Sequence, residues 1–144
     1  MTFFENQTTD RHGMGFGRMW MQMQNGEKVL QMISVRDIGW FAAQAFVHPE
    51  EPRYRNAAMS LAGDELSAKQ AAVIFKEVTG KDMPLAPCLI GSAVKAFMKD
   101  TVGDMFRWFE KEGYGADVQA CRTQNPEMLD YRTWLERYGG FVKT

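Results

Sequence analysis

The stretch from Lys28 to Phe46 narrows the fold of this chain more than any other. Val29, Leu30, Met32, Ile33 and Val35 are apolar and β-branched enough for a strand buried on both faces. Arg36-Asp-Ile-Gly-Trp-Phe-Ala-Ala-Gln-Ala-Phe follows without a gap, and Ile38, Phe41, Ala42, Ala45 and Phe46 keep the three-and-four spacing of one helix face. Asp37 is the expected N-cap, its carboxylate accepting from amides two or three residues on. A strand that turns directly into a helix is the repeating step of an α/β domain. With 144 residues there is room for one domain, taken as 1–144.

The rest of the chain supplies further elements around this step. Gly13, Gly15 and Gly17 read as a loop, Met19–Met23 as a short helix with a strand edge as the alternative, and Asn25-Gly26 as a turn. The helix after Asp37 must stop near Val47-His48-Pro49, because proline cannot continue it, and Glu50–Arg53 is a loop. Tyr54–Leu61 reads as a second strand closed by Ala62-Gly63-Asp64. Ser67-Ala-Lys-Gln70 is a capping box in which hydroxyl and amide satisfy two orphan backbone donors. Ala71, Ile74, Phe75 and Val78 form that helix's inner face, and Gly80 its left-handed terminator. Met83–Cys88 is a connector. Leu89–Glu112 keeps helical spacing with a break expected near Asp100–Asp104, and Gly113 ends it. Asn125-Pro126 opens a short turn or helix. Asp130 caps a last helix with Trp134 and Leu135 inward, stopped by Gly139-Gly140.

Charge and motifs exclude several functions. A formal net charge of -1 with scattered lysines and arginines gives no electrostatic case for nucleic acid or an acidic membrane. No window reaches the roughly 18 apolar residues of a spanning helix, and the start lacks a signal peptide's basic and apolar regions. Cys88 and Cys121 lack metal-ligand spacing and read as reduced thiols. The expected location is therefore the cytoplasm, with the nucleus also open.

Three glycines near the start do not make a dinucleotide fingerprint. Arg18 stands where the third glycine is needed, and Asp10-Arg11-His12 precedes them instead of a buried strand. No tyrosine is followed four positions later by lysine, and no Gly-x-Ser-x-Gly elbow exists. His12 and His48 stand alone. Asp64-Glu65, read as lying just before a helix, complements the dipole there better than it serves catalysis. The methionines at 19, 21 and 23 suit core filling, with an adaptable binding surface as the alternative. No catalytic or metal set emerges.

Phe3-Phe4-Glu5-Asn6, Leu30-Gln-Met-Ile-Ser-Val-Arg-Asp-Ile-Gly-Trp-Phe-Ala-Ala, Ser60-Leu-Ala-Gly-Asp-Glu-Leu-Ser and Phe75-Lys-Glu-Val-Thr-Gly-Lys stand in one order along the chain. Met105-Phe-Arg-Trp-Phe, Gly113-Tyr-Gly-Ala-Asp-Val and Trp134-Leu-Glu continue the series. Together they resemble the C-terminal half of NmrA-like proteins, an atypical branch of the short-chain dehydrogenases, with fungal members most similar. The resemblance implies the C-terminal part of an NAD(P)-binding Rossmann-type fold with its mainly helical substrate subdomain, the N-terminal dinucleotide-binding half missing. It implies NADP as cofactor of the intact family. It also implies redox sensing and transcriptional regulation through a protein partner or a homo-oligomer.

Phe3, Phe4, Glu5 and Asn6 correspond to a loop beside the nicotinamide end of the cofactor, and are the cofactor-binding residues the resemblance assigns. The alternative for the same residues is a structural corner whose aromatics plug the core. The family's phosphate loop has no counterpart in these residues, so weak or no NADP binding is expected of this chain alone. The strands from Lys28 and Tyr54 would then belong to a parallel sheet with unpaired edges. A non-catalytic regulatory segment is the leading expectation. The substrate-binding part of an NAD(P)H-dependent reductase and a stand-alone protein-interaction module are the alternatives.

Overall fold

A computed structural model of the chain describes residues 2–6, 11–86 and 102–141. Its sheet is built on β2 (Val29–Ile33), which pairs parallel with β1 (Thr2–Phe3) and antiparallel with β3 (Asp64–Ser67). The order is β1-β2-β3, with Thr2 opposite Met32, Val29 opposite Ser67 and Met32 opposite Asp64. The strand expected from Lys28 is thus central in this sheet.

Alternation along β2 divides the interior in two. Leu30 and Met32 join the larger core, with Phe4, Trp20, Phe75 and Trp134. Ile33 joins a smaller one with Phe41, Cys121 and Met128. Gln31 is polar and buried, yet satisfied. Its Nε2 donates to Ala116 O at 2.7 Å, and its Oε1 accepts from Ala116 N at 2.9 Å. The side-chain amide thereby clamps the 113–117 segment to the sheet, because a buried amide left open would cost more than the bond gains.

Six helices surround this sheet among the described residues: α1 (Arg11–Gln22), α2 (Val35–Val47), α3 (Ala68–Thr79), α4 (Val102–Lys111), α5 (Val118–Gln124) and α6 (Tyr131–Arg137). α3 is built as its sequence dictates. Gln70 N donates to Ser67 Oγ at 3.2 Å, Ser67 N donates to Gln70 Oε1 at 2.8 Å, and Gly80 closes the helix at φ 70°. α2 ends at Val47, before Pro49, as required. Asp130 caps α6 through Thr133 N at 2.7 Å, and Gly113 follows α4 at φ 76°.

Several expectations are corrected. The N-cap of α2 is Ser34, not Asp37: Ser34 stays extended, and its hydroxyl accepts from Arg36 N at 3.2 Å. The helix begins as soon as β2 ends, which carries Asp37 into the first turn and turns it inward. The three glycines lie inside α1 and not in a loop, so the helix is longer than Met19–Met23. Phe16 and Trp20 form its packing face, their rings 5.8 Å apart. A Cβ on Gly17 would stand 3.2 Å from Leu85 Cδ2, so the absent side chain permits a close approach there. Met23 is buried and Met21 packs against the larger core.

Tyr54–Leu61 is not a strand. Tyr54 N and Arg55 N both donate to Glu51 O in a turn, and Asn56 has φ 53°. Residues 55–58 are exposed and lack the alternation a pleated strand needs. Pairing with β2 starts only where Gly63 N donates to Met32 O at 2.8 Å. The strand is therefore β3, and it is antiparallel, so Asp64-Glu65 lies on a strand and not just before a helix. α5 is a helix beyond those expected; Asp117 caps it through Ala120 N at 2.9 Å. Cys88 and most of the expected break at Asp100–Asp104 lie outside the described residues. No helix among the described residues is long and apolar enough to cross a membrane.

Candidate functional site

Residues 3–6 form a corner fixed on three sides. β1 delivers the chain alongside Met32 and Ile33, and Phe4–Asn6 then make one tight 3-10 turn. Phe4 is completely buried, its ring centroid 5.7 Å from that of Tyr131 and 5.8 Å from that of Trp134. Phe3 packs at the edge of the Ile33–Phe41 cluster. Glu5 spends its carboxylate on the start of α2. Oε1 accepts from Ser34 Oγ at 2.7 Å and from Trp134 Nε1 at 3.2 Å, and both oxygens accept from Val35 N at 3.2 Å. A carboxylate at a helix N-terminus is favoured by the dipole and by the unsatisfied amides there.

A polar cleft of about 600 Å³ opens beside the same first turn of α2. Arg36, Asp37 and Trp40 line one wall, and Arg122, the 125–130 segment, Thr133, Arg137 and Tyr138 line the other. Asp37 is the bolt between the walls. Its Oδ2 accepts from Leu129 N at 3.1 Å and its Oδ1 from Asn125 Nδ2 at 3.4 Å. Burial pushes its carboxyl above the usual range, more strongly than the Leu129 amide pulls it down. Arg122 donates to Gly63 O at 2.6 Å and Met128 O at 3.4 Å, and Asp64 Oδ2 accepts from Tyr131 N at 3.0 Å. At Asp130 burial opposes ionisation, but bonds from Thr133 and nearby arginines outweigh it and hold the carboxyl below its usual range.

A second, apolar groove of about 250 Å³ is lined by Ile38, Phe41, Ala42, Ala45, Tyr54, Ala57, Met59 and Leu61. Beyond it α2 exposes Phe46 and Val47.

The sequence-derived candidates do not assemble into a catalytic set. Asp64 serves the N-terminus of α6 while Glu65 accepts from Gln31 Nε2. His48 follows α2 as its C-cap. Tyr54 sits in the apolar groove, and Tyr131 is fully buried, with desolvation driving its hydroxyl pKa far upward. No group of three or more histidine, cysteine or acidic side chains that could hold a metal occurs among the described residues. Asp37 as a buried acceptor and Arg122 as a carbonyl donor escaped the sequence. Neither has a local signature, because their partners lie 92 and 59 positions away.

No curated protein matches the chain. The family model for the NmrA-like family matches residues 6–138, a span holding the α2 step, the Glu65–Gln70 junction and the Asp130 cap. Proteins of that family have an NAD(P)-binding Rossmann-type fold and generally bind NAD(P). This chain, mixed α/β and matched over nearly all its length, belongs to the NmrA-like family.

Proposed function

We propose that this is a non-catalytic, NAD(P)-linked regulatory protein that responds to the redox state of the nicotinamide, acting on a protein partner. Phe3, Phe4, Glu5 and Asn6 form the ledge beside the nicotinamide end. In this reading Phe4 and Glu5 act by fixing the shape of the ledge, since the ring is enclosed and the carboxylate is committed to Ser34, Val35 and Trp134. The chain corresponds to a C-terminal segment of the family's domain, and by itself binds NADP weakly or not at all. Its glycine cluster supports that: Gly15 and Gly17 lie within α1, where backbone amides serve the helix and not a phosphate.

One observation carries the non-catalytic reading. The tyrosine that packs against the ledge, Tyr131, is sealed in the core, so it cannot hand a proton to a reduced substrate at the nicotinamide. The test is a titration of the labelled chain with nicotinamide mononucleotide, followed by amide and indole chemical shifts. Shifts centred on residues 3–6, Ser34, Val35 and the Trp134 indole are expected; shifts confined elsewhere would refute the ledge. Calorimetry with NADP tests the second part, which micromolar affinity would overturn. NADPH oxidation by the chain in the presence of carbonyl or quinone acceptors would overturn the third.

A further inference from the structure

We propose that the polar cleft between α2 and the 125–138 segment is a binding site for a small organic anion carrying two or more acidic groups. Three arginines line it, Arg36, Arg122 and Arg137. None of the three takes part in an ion pair among the described residues. The two inner acids of the cleft each accept from amides, Asp37 from Leu129 N and Asn125 Nδ2 and Asp130 from Thr133 N. Arg36 and Arg122 act on Asp37, and Arg122 on Asp130, only through space, so among the described residues no carboxylate contact closes off a guanidinium of the cleft.

Geometry favours a ligand with a defined shape. The Arg36 guanidinium lies 4.3 Å above the Tyr138 ring, which holds its plane and leaves its edge N–H groups for a planar acceptor. Arg122 is pinned to Gly63 O and Met128 O, so it contributes fixed positive charge from the cleft wall. Arg137 stands one residue before Tyr138, on the last residue of α6. Spaced cations of this kind suit two acidic groups better than one, since each guanidinium can form its own charge-assisted pair. The cleft volume, about 600 Å³, is in the range of a metabolite-sized ligand. Glu127 also lines the cleft; it is exposed, so solvent screens its charge.

The test uses the whole chain, with pyrophosphate and citrate as probes and calorimetry as the assay. Saturable one-to-one binding of at least one probe is expected, and the preferred probe identifies the acid as phosphate or carboxylate. Arg36→Gln and Arg137→Gln should each weaken it about tenfold, the loss of one charge-assisted contact. Lys69→Gln, which removes a lysine paired with Glu27, should leave it unchanged. Absence of saturable binding by both probes, equal affinity in the arginine variants, or the same loss in Lys69→Gln would each overturn the assignment. Arg137 is solvent-exposed, so its variant retains the fold even if replacement of Arg36 disturbs α2.

Discussion

Replacement of Asp37 probes the joint on which the cleft depends. In Asp37→Ala the Leu129 amide loses a charged acceptor and Asn125 Nδ2 loses a longer bond, both in buried surroundings. A hydrogen bond to a charged group contributes about 1.5–3 kcal/mol, and the 3.4 Å bond about 0.5 kcal/mol. Removing the carboxylate also returns the desolvation that burial imposes on it. A net loss of about 1–3 kcal/mol follows, or roughly 3–10 °C in Tm at the usual scaling for a domain of this size.

Asp37→Asn separates charge from shape. Its carbonyl can still accept from Leu129 N, but its amide then faces Asn125 Nδ2, donor against donor. The pH dependence has a definite sign. A carboxyl raised above its ordinary 3.8 in the folded protein binds its proton more tightly there than in the unfolded chain. Its contribution to stability is therefore present at low pH and is lost as pH rises through the folded pKa. The asparagine variant, uncharged throughout, should thus gain on the wild type between pH 4 and pH 7. Thermal melts followed by tryptophan fluorescence at both pH values measure this. An Asp37→Ala protein melting within 1 °C of wild type, or an asparagine variant that loses ground as pH rises, would refute the reasoning.

Other substitutions test the neighbouring joints. Gly63→Ala would place a Cβ 2.8 Å from Leu129 O, and a shift of the 125–130 segment should cost about 1–3 kcal/mol in urea titration. Ser67→Ala removes the hydroxyl half of the capping box on α3 and should cost about 1 kcal/mol, seen as a lower urea midpoint at unchanged slope. Asp130 behaves oppositely to Asp37. Its folded pKa is lowered, so its stabilisation is present above the ordinary 3.8 and is lost as pH falls through the folded value. Asp130→Asn keeps a good cap and should flatten the acid side of the stability profile, as melts from pH 2 to 5 would show.

The local rules of the chain were legible wherever a residue's partner lies within one turn. Ser67 with Gln70, Asp130 with Thr133, and Gly80 as terminator are each decided by neighbours three or four positions away, so spacing alone revealed them. The strand-then-helix step at Lys28–Phe46 was visible for the same reason. Its cap was misplaced by three residues because Ser34 and Asp37 are both good caps, and only the end of β2 chooses between them. Glycines at 13, 15 and 17 argue for a loop by propensity. Packing of Phe16 and Trp20 against the core overrides that preference, since helical stability comes mainly from a buried face.

The sequence by itself determined the α/β step, two helix caps, and family membership through motifs spread in order along the chain. Tertiary structure alone decided that Glu5 closes the start of α2, that Asp37 bolts Leu129, and that three arginines gather in one cleft. The physical reason is distance along the chain. Partners 30 to 92 positions apart meet only when the core has folded, and no pattern of residue types in one segment encodes which distant amide a buried carboxylate will find.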